Sequence, residues 1–207
     1  MKVRLSLMNF LEFAVWGSYL TCMGIYLGNI GMAGHIGAFY ARQGIVSIFM
    51  PALMGIIADR WIPAQRLLGI CHLLAALFMF AAGWYGMVNG EGASFAILFT
   101  FYSLSVGFYM PTLALTNSVA YYCLELKGMD TVTEFPPIRV FGTVGFIVAM
   151  WFVDIMGFKS TYEQFFVSGA FSLILFLYTF SMPTCPLSDD DNKQSLVDAF
   201  GLRAFAL

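Results

Sequence analysis

Arg139, Thr143 and Phe146 stand at i, i+4 and i+7 of the stretch Phe135-Pro136-Pro137-Ile138-Arg139-Val140-Phe141-Gly142-Thr143-Val144-Gly145-Phe146, so a helix carries all three on one face. Together they supply guanidinium donors, a hydroxyl and a flat apolar ring, the chemistry for docking a polar, ring-shaped solute. A guanidinium within a membrane span costs at least about 2.5–3.5 kcal/mol at the centre, and such residues face a bundle interior or a wet cavity. The alternative is that Arg139, early in its stretch, snorkels to the cytoplasmic headgroups. Gly142 and Gly145 would admit a neighbouring helix or a ligand against this segment. The two prolines suit the first turn of a helix, where no N–H is needed, or an unwound stretch.

A second set is Gly55-Ile56-Ile57-Ala58-Asp59-Arg60-Trp61, with Arg66 after a short loop. The glycine permits close packing one turn before the acid, and an Asp beside an Arg at a helix end can hold a neighbouring helix end. Glu12 is a carboxylate within the first apolar stretch, open to two readings: a group that titrates with transport, or an interfacial acid near the cytoplasm. His72 reads as a packing residue at a cytoplasmic helix end. Tyr109-Met110-Pro111-Thr112 predicts a kink that frees carbonyls. Cys22, Cys71, Cys123 and Cys185 show no metal or redox spacing and read as buried small hydrophobes. No His/Asp/Glu cluster or Ser/His pairing lies at one depth, so an enzyme is not expected, nor a metal or bound cofactor.

These residues sit in a chain of 207 residues that is 60% hydrophobic and 11% charged. Soluble domains carry roughly 25% charged residues, so lipid must be the solvent for most of this chain. Within lipid only helices and closed barrels satisfy the backbone, and continuous apolar runs exclude the ten-residue alternation of barrel strands. Six apolar runs are expected to span, at 5–30, 36–58, 67–88, 94–123, 135–156 and 165–182. The first is too long for the core of a signal peptide. Lys2, Arg4, Arg60, Arg66, Lys127, Lys193 and Arg203 fall on one side of a six-span scheme and only Lys159 in a loop on the other, which puts both termini in the cytoplasm. A net charge of −2 offers no basic surface for nucleic acid.

The expected domains are therefore a six-helix unit over 1–183 and a cytoplasmic linker over 184–207. Asp189, Asp190 and Asp191 open the polar part of that linker, and Asn192 is a candidate cap for a short helix carrying Leu196, Val197 and Phe200 on one face. An apolar pattern restarts at Ala204 to Leu207, which reads as the first half of a longer transporter with its second half absent.

Gly55 to Arg60 resembles the loop motif G-x-x-x-D-R of major facilitator transporters, with Ile62-Pro63-Ala64 where Gly-Arg-Lys is usual. More of the chain resembles the nucleoside permeases of the nucleoside:proton symporter family. The resemblance runs in order through Phe49 to Asp59, Ile70-Cys71-His72, Tyr109 to Leu113, Gly128 through Phe146, and Ala204-Phe205-Ala206-Leu207. It implies a major facilitator N-terminal domain of two inverted three-helix repeats in a bacterial-type inner membrane, importing nucleosides with protons by alternating access. Arg139, Thr143 and Phe146 then match positions of the nucleoside site, Gly55, Asp59 and Arg60 a gating latch. Oligosaccharide:proton symporters share an Arg-x-x-Gly-x-x-Gly-aromatic pattern but pair the arginine with a glutamate on helix four. Here span four offers Asn117, Tyr121 and Tyr122 instead, favouring a nucleoside, with Asn117 and Tyr121 added to its site. A membrane sensor or assembly partner of transporter-like fold is the competing reading from another class.

Overall fold

The computed structural model describes residues 1–187, and the linker segment from 188 onward, with its proposed cap and acidic run, lies outside the described residues. The described residues form eight α-helices separated by short turns: α1 Lys2–Gly17, α2 Met23–Asn29, α3 Ile36–Arg60, α4 Ala64–Asn89, α5 Phe95–Tyr109, α6 Thr112–Glu125, α7 Thr131–Ile155 and α8 Glu163–Thr179. Four helical stretches are long and apolar enough to cross a membrane: 33–60, 64–92, 95–125 and 131–155. The first expected span is broken into α1 and α2, and α8 holds 17 residues, shorter than the run at 165–182 suggested.

The break after α1 falls where Ser18 Oγ turns back to donate to the Ala14 carbonyl at 2.7 Å, and where Gly17 lies against the backbone of Phe146. The kink expected at Tyr109 to Thr112 is present: Pro111 has no N–H to continue the helix, α5 ends at Tyr109, and the Tyr109 carbonyl accepts from Thr112 Oγ1 at 2.5 Å. α7 starts a turn earlier than its apolar run. Asp130 caps it, accepting from the backbone N–H groups of Val132 and Thr133, each at 3.2 Å, so Pro136 and Pro137 fall inside a helix already nucleated. Thr133 also donates its hydroxyl to Asp130, and these bonds hold the carboxyl below its usual range.

Helix pairing follows a simple scheme. α1 packs along α7 and α8, α4 along α8, α5 and α6, and α3 against α5 and α6. The α1–α7 seam is the closest, because Gly145 abuts the Phe10 backbone while Gly17 abuts that of Phe146; a side chain on either glycine would force the backbones apart. Two buried apolar cores result. One gathers Val15, Tyr19, Tyr26, Phe39, Tyr102 and Phe165; the other gathers Leu5, Met8, Leu68, Val119, Leu124 and Leu175. Glu12 lies on α1 between the two contributions of that helix. The four cysteines are buried and free, as small hydrophobes would be.

Candidate functional site

The α1–α7 seam sets the site's geometry by bringing Phe13 and Trp16 against the Arg139 face of α7. The Arg139 guanidinium lies 4.0 Å above the centre of the Phe13 ring. At that distance the π face attracts the cation directly, a contact worth about 0.5–2 kcal/mol depending on desolvation. Gly142 keeps the slot open, because a Cβ there would stand 2.7 Å from the Phe13 ring and 2.8 Å from the guanidinium. The cation thus rests on a ring of the neighbouring helix. Among the described residues no carboxylate pairs with it.

An aromatic wall continues from this point. Phe13 and Trp16 centre 6.3 Å apart, Phe146 meets Trp16 edge to face at 6.3 Å, and Tyr109 closes the group 6.5 Å from Trp16. Trp16 Nε1 donates to Gln43 Oε1 at 2.9 Å, and Gln43 Nε2 donates to the Tyr102 hydroxyl at 2.5 Å, which fixes the indole from the α3 side. Phe146 and Arg139 are half-buried and Thr143 is exposed, so ring, cation and hydroxyl border open space.

Behind the wall lies a buried polar knot. Glu12 is 0% exposed, enclosed by its neighbouring helices. Its carboxylate meets His72 Nε2 at 2.9 Å, Thr112 Oγ1 at 2.6 Å and Thr116 Oγ1 at 2.8 Å, and its backbone carbonyl accepts from the Tyr109 hydroxyl at 2.8 Å. His72 is likewise 0% exposed, and its other ring nitrogen faces Ser172 Oγ at 2.9 Å. The expectation that it packs a cytoplasmic helix end is corrected: two helical turns into α4, it meets the acid of α1. Sequence alone missed this, because Glu12, His72, Thr116 and Ser172 come from four separate helices.

Asn117 and Tyr121 both stand on α6. Tyr121 packs on Phe135 with ring centres 4.5 Å apart and lines a crevice with Glu125, Thr131 and Pro136. Asn117 is half-buried one turn earlier on α6, with no hydrogen-bond partner among the described residues. Gly55 and Asp59, near the end of α3, line a crevice with Ser118 and Tyr122 of α6 and with Cys185, while Arg60 closes the helix half-buried. Phe13 and Trp16 escaped the sequence reading for lack of contrast: in a chain that is 17% aromatic, their spacing carries no signal until the α1–α7 register is known.

The family profile described as "Nucleoside H+ symporter" matches residues 1–207. Among curated proteins, the nucleoside permease NupG of Escherichia coli (strain K12) is 42% identical over 209 residues, covering 100% of this chain and 48% of its own length. The xanthosine permease of the same organism is 41% identical, covering 99% of this chain and 48% of its own. A crystal structure of a mutant form of the nucleoside transporter NupG superposes with a TM-score of 0.90 at 40% identity, over 99% of this chain and 50% of that one. The chain therefore spans about half the length of the curated relatives it matches.

Proposed function

The chain belongs to the nucleoside H+ symporter family, and from that membership we propose that it forms the N-terminal half of a proton-driven nucleoside importer. It sits in a bacterial-type cytoplasmic membrane with both termini inside. α1 with α2 and α5 with α6 act as single, broken spans, giving six in two inverted three-helix repeats. The pairings support this: exchanging span one with four, two with five and three with six turns the α1–α7 contact into the contact of α3 with α5 and α6, and leaves the α4–α8 contact in place. A second six-helix half faces the open side of Arg139 and Thr143, and rocking of the two halves alternates access.

Arg139 lying on Phe13 is the observation that carries this reading. A carboxylate partner would occupy the guanidinium donors and neutralise the charge; a ring face stabilises the cation while leaving those donors for a neutral guest. A nucleoside is such a guest. Its base stacks along the Phe13, Trp16 and Phe146 wall, its carbonyls and ribose hydroxyls accept from Arg139, and Thr143 supplies the adjoining hydroxyl. Asn117 and Tyr121 act nearer the cytoplasmic mouth, as residues met on exit. Gly55, Asp59 and Arg60 form the latch between α3 and α6 that holds one state of the cycle, and Glu12 is the carboxylate of this half that takes part in proton coupling.

Uptake tests the proposal. The chain joined to the C-terminal half of the E. coli permease NupG is expected to accumulate uridine in vesicles under an inward proton gradient, and to stop when the gradient is collapsed. The chain alone is expected to give no accumulation. Concentrative uptake by the chain alone, or accumulation by the joined protein that ignores the gradient, overturns the reading.

A further inference from the structure

We infer that Glu12 and His72 share one exchangeable proton and form a built proton-holding site, with the Ser172 hydroxyl as the rotor that lets the pair exist with or without it. The inference rests on the reading of the chain as half of a proton-coupled transporter and extends it to residues on three further helices.

Counting hydrogens carries the argument. Ser172 Oγ stands 2.9 Å from the backbone carbonyl of His72, which can only accept, and 2.9 Å from His72 Nδ1. A hydroxyl owns one hydrogen, so it serves one of these at a time. If it points to the carbonyl, Nδ1 must carry a hydrogen to keep its contact. The 2.9 Å approach of Nε2 to Glu12 Oε2 then needs one more proton, held on the nitrogen or on the carboxyl. In this setting the pair is neutral as a whole. When the hydroxyl rotates to Nδ1, Nε2 keeps the one imidazole hydrogen and donates it to an ionised Glu12. The pair has then lost one proton and carries a single negative charge, and no contact to the imidazole or the carboxyl is left without a donor.

The surroundings fit both settings. In the ionised setting the carboxylate accepts from His72, from Thr112 at 2.6 Å and from Thr116 at 2.8 Å, three donors that offset the desolvation of a fully buried charge. Among the described residues the other titratable groups that feel Glu12 are Cys71 of α4 and Tyr109 of α5, and Tyr109 also feels the Arg139 cation of α7, which lies on the adjacent Phe13. α6 and α8 contribute the hydroxyls of Thr112, Thr116 and Ser172.

The same residues reach the aromatic wall. Tyr109 bonds the Glu12 carbonyl at 2.8 Å and sets its ring 6.0 Å from His72 and 6.5 Å from Trp16, while Glu12 adjoins Phe13 in sequence. A change of charge at Glu12 is therefore felt where Arg139 is held.

The test follows His72 by nitrogen NMR in the full chain, in lipid nanodiscs, across the accessible pH range. His35→Gln removes the one other imidazole. The His72 ring nitrogens are expected to titrate, and Glu12→Gln, which keeps the shape but cannot hold the proton, is expected to change the proton affinity at least about tenfold, as loss of a hydrogen-bonded opposite charge does. Ser172→Ala keeps acid and imidazole, lacks the rotor, and is expected to shift the titration as well; it decides the matter should Glu12→Gln not fold. A His72 signal that does not move with pH, or that moves identically in wild type and Ser172→Ala, overturns the inference. Uridine titrated into the chain joined to the C-terminal half of NupG separates the two claims. Binding with a silent His72 leaves the transport reading standing and removes the proton site; a titrating, Glu12-dependent His72 without uridine binding does the reverse.

Discussion

A lone cation in an apolar run stands out because its cost must be offset, and that contrast made Arg139 legible with Thr143 and Phe146 on its face. The structure adds what the cation rests on. Phe13 and Trp16 are two aromatic residues among 36, and nothing in their own helix distinguishes them. Glu12 was legible as an oddity but His72 was not read as its partner, since the two are 60 positions apart and meet only after α1 and α4 have packed. Thr143 gives the residue-scale prediction. The residue is exposed beside the wall, and its hydroxyl makes no hydrogen bond among the described residues. Thr143→Val is expected to weaken nucleoside binding by roughly twofold to tenfold, the value of one neutral hydrogen bond, with thermal stability unchanged. The check is a pair of measurements, ligand titration and melting; unchanged affinity removes the hydroxyl from the site.

Among the elements, the long apolar stretches and the kink before α6 could be read from composition and from Pro111, because both are local. The break after α1 could not. It depends on Gly17 meeting the Phe146 backbone, a contact between helices whose register the sequence does not print. The start of α7 was missed because the apolar run begins a turn later than the Asp130 cap that nucleates the helix. The α1–α7 seam is where element packing and the site meet. Gly145→Val places a branched side chain against the Phe10 backbone, and overpacking of this kind costs about 1–3 kcal/mol. The variant is expected to melt at lower temperature and also to lose nucleoside affinity, since parting the seam lifts Phe13 away from Arg139. A variant that melts lower yet binds as well as wild type would show that the seam does not position the site.

At the scale of the whole molecule, lipid as solvent and helices as the only backbone solution followed from a chain 11% charged. The chemistry needed the fold. The proposal is that a neutral, ring-shaped guest is recognised by a cation whose own charge is met by a ring, with a second half covering the open side of that cation. Equilibrium binding of uridine to the chain joined to the C-terminal half of NupG, with Arg139 intact and as Arg139→Ala, tests this most directly. Loss of hydrogen bonds from a charged donor is worth about 1.5–3 kcal/mol, so the account predicts affinity weaker by roughly tenfold to a hundredfold or more in the alanine variant with the protein still folded. Equal affinity in the two proteins would contradict it.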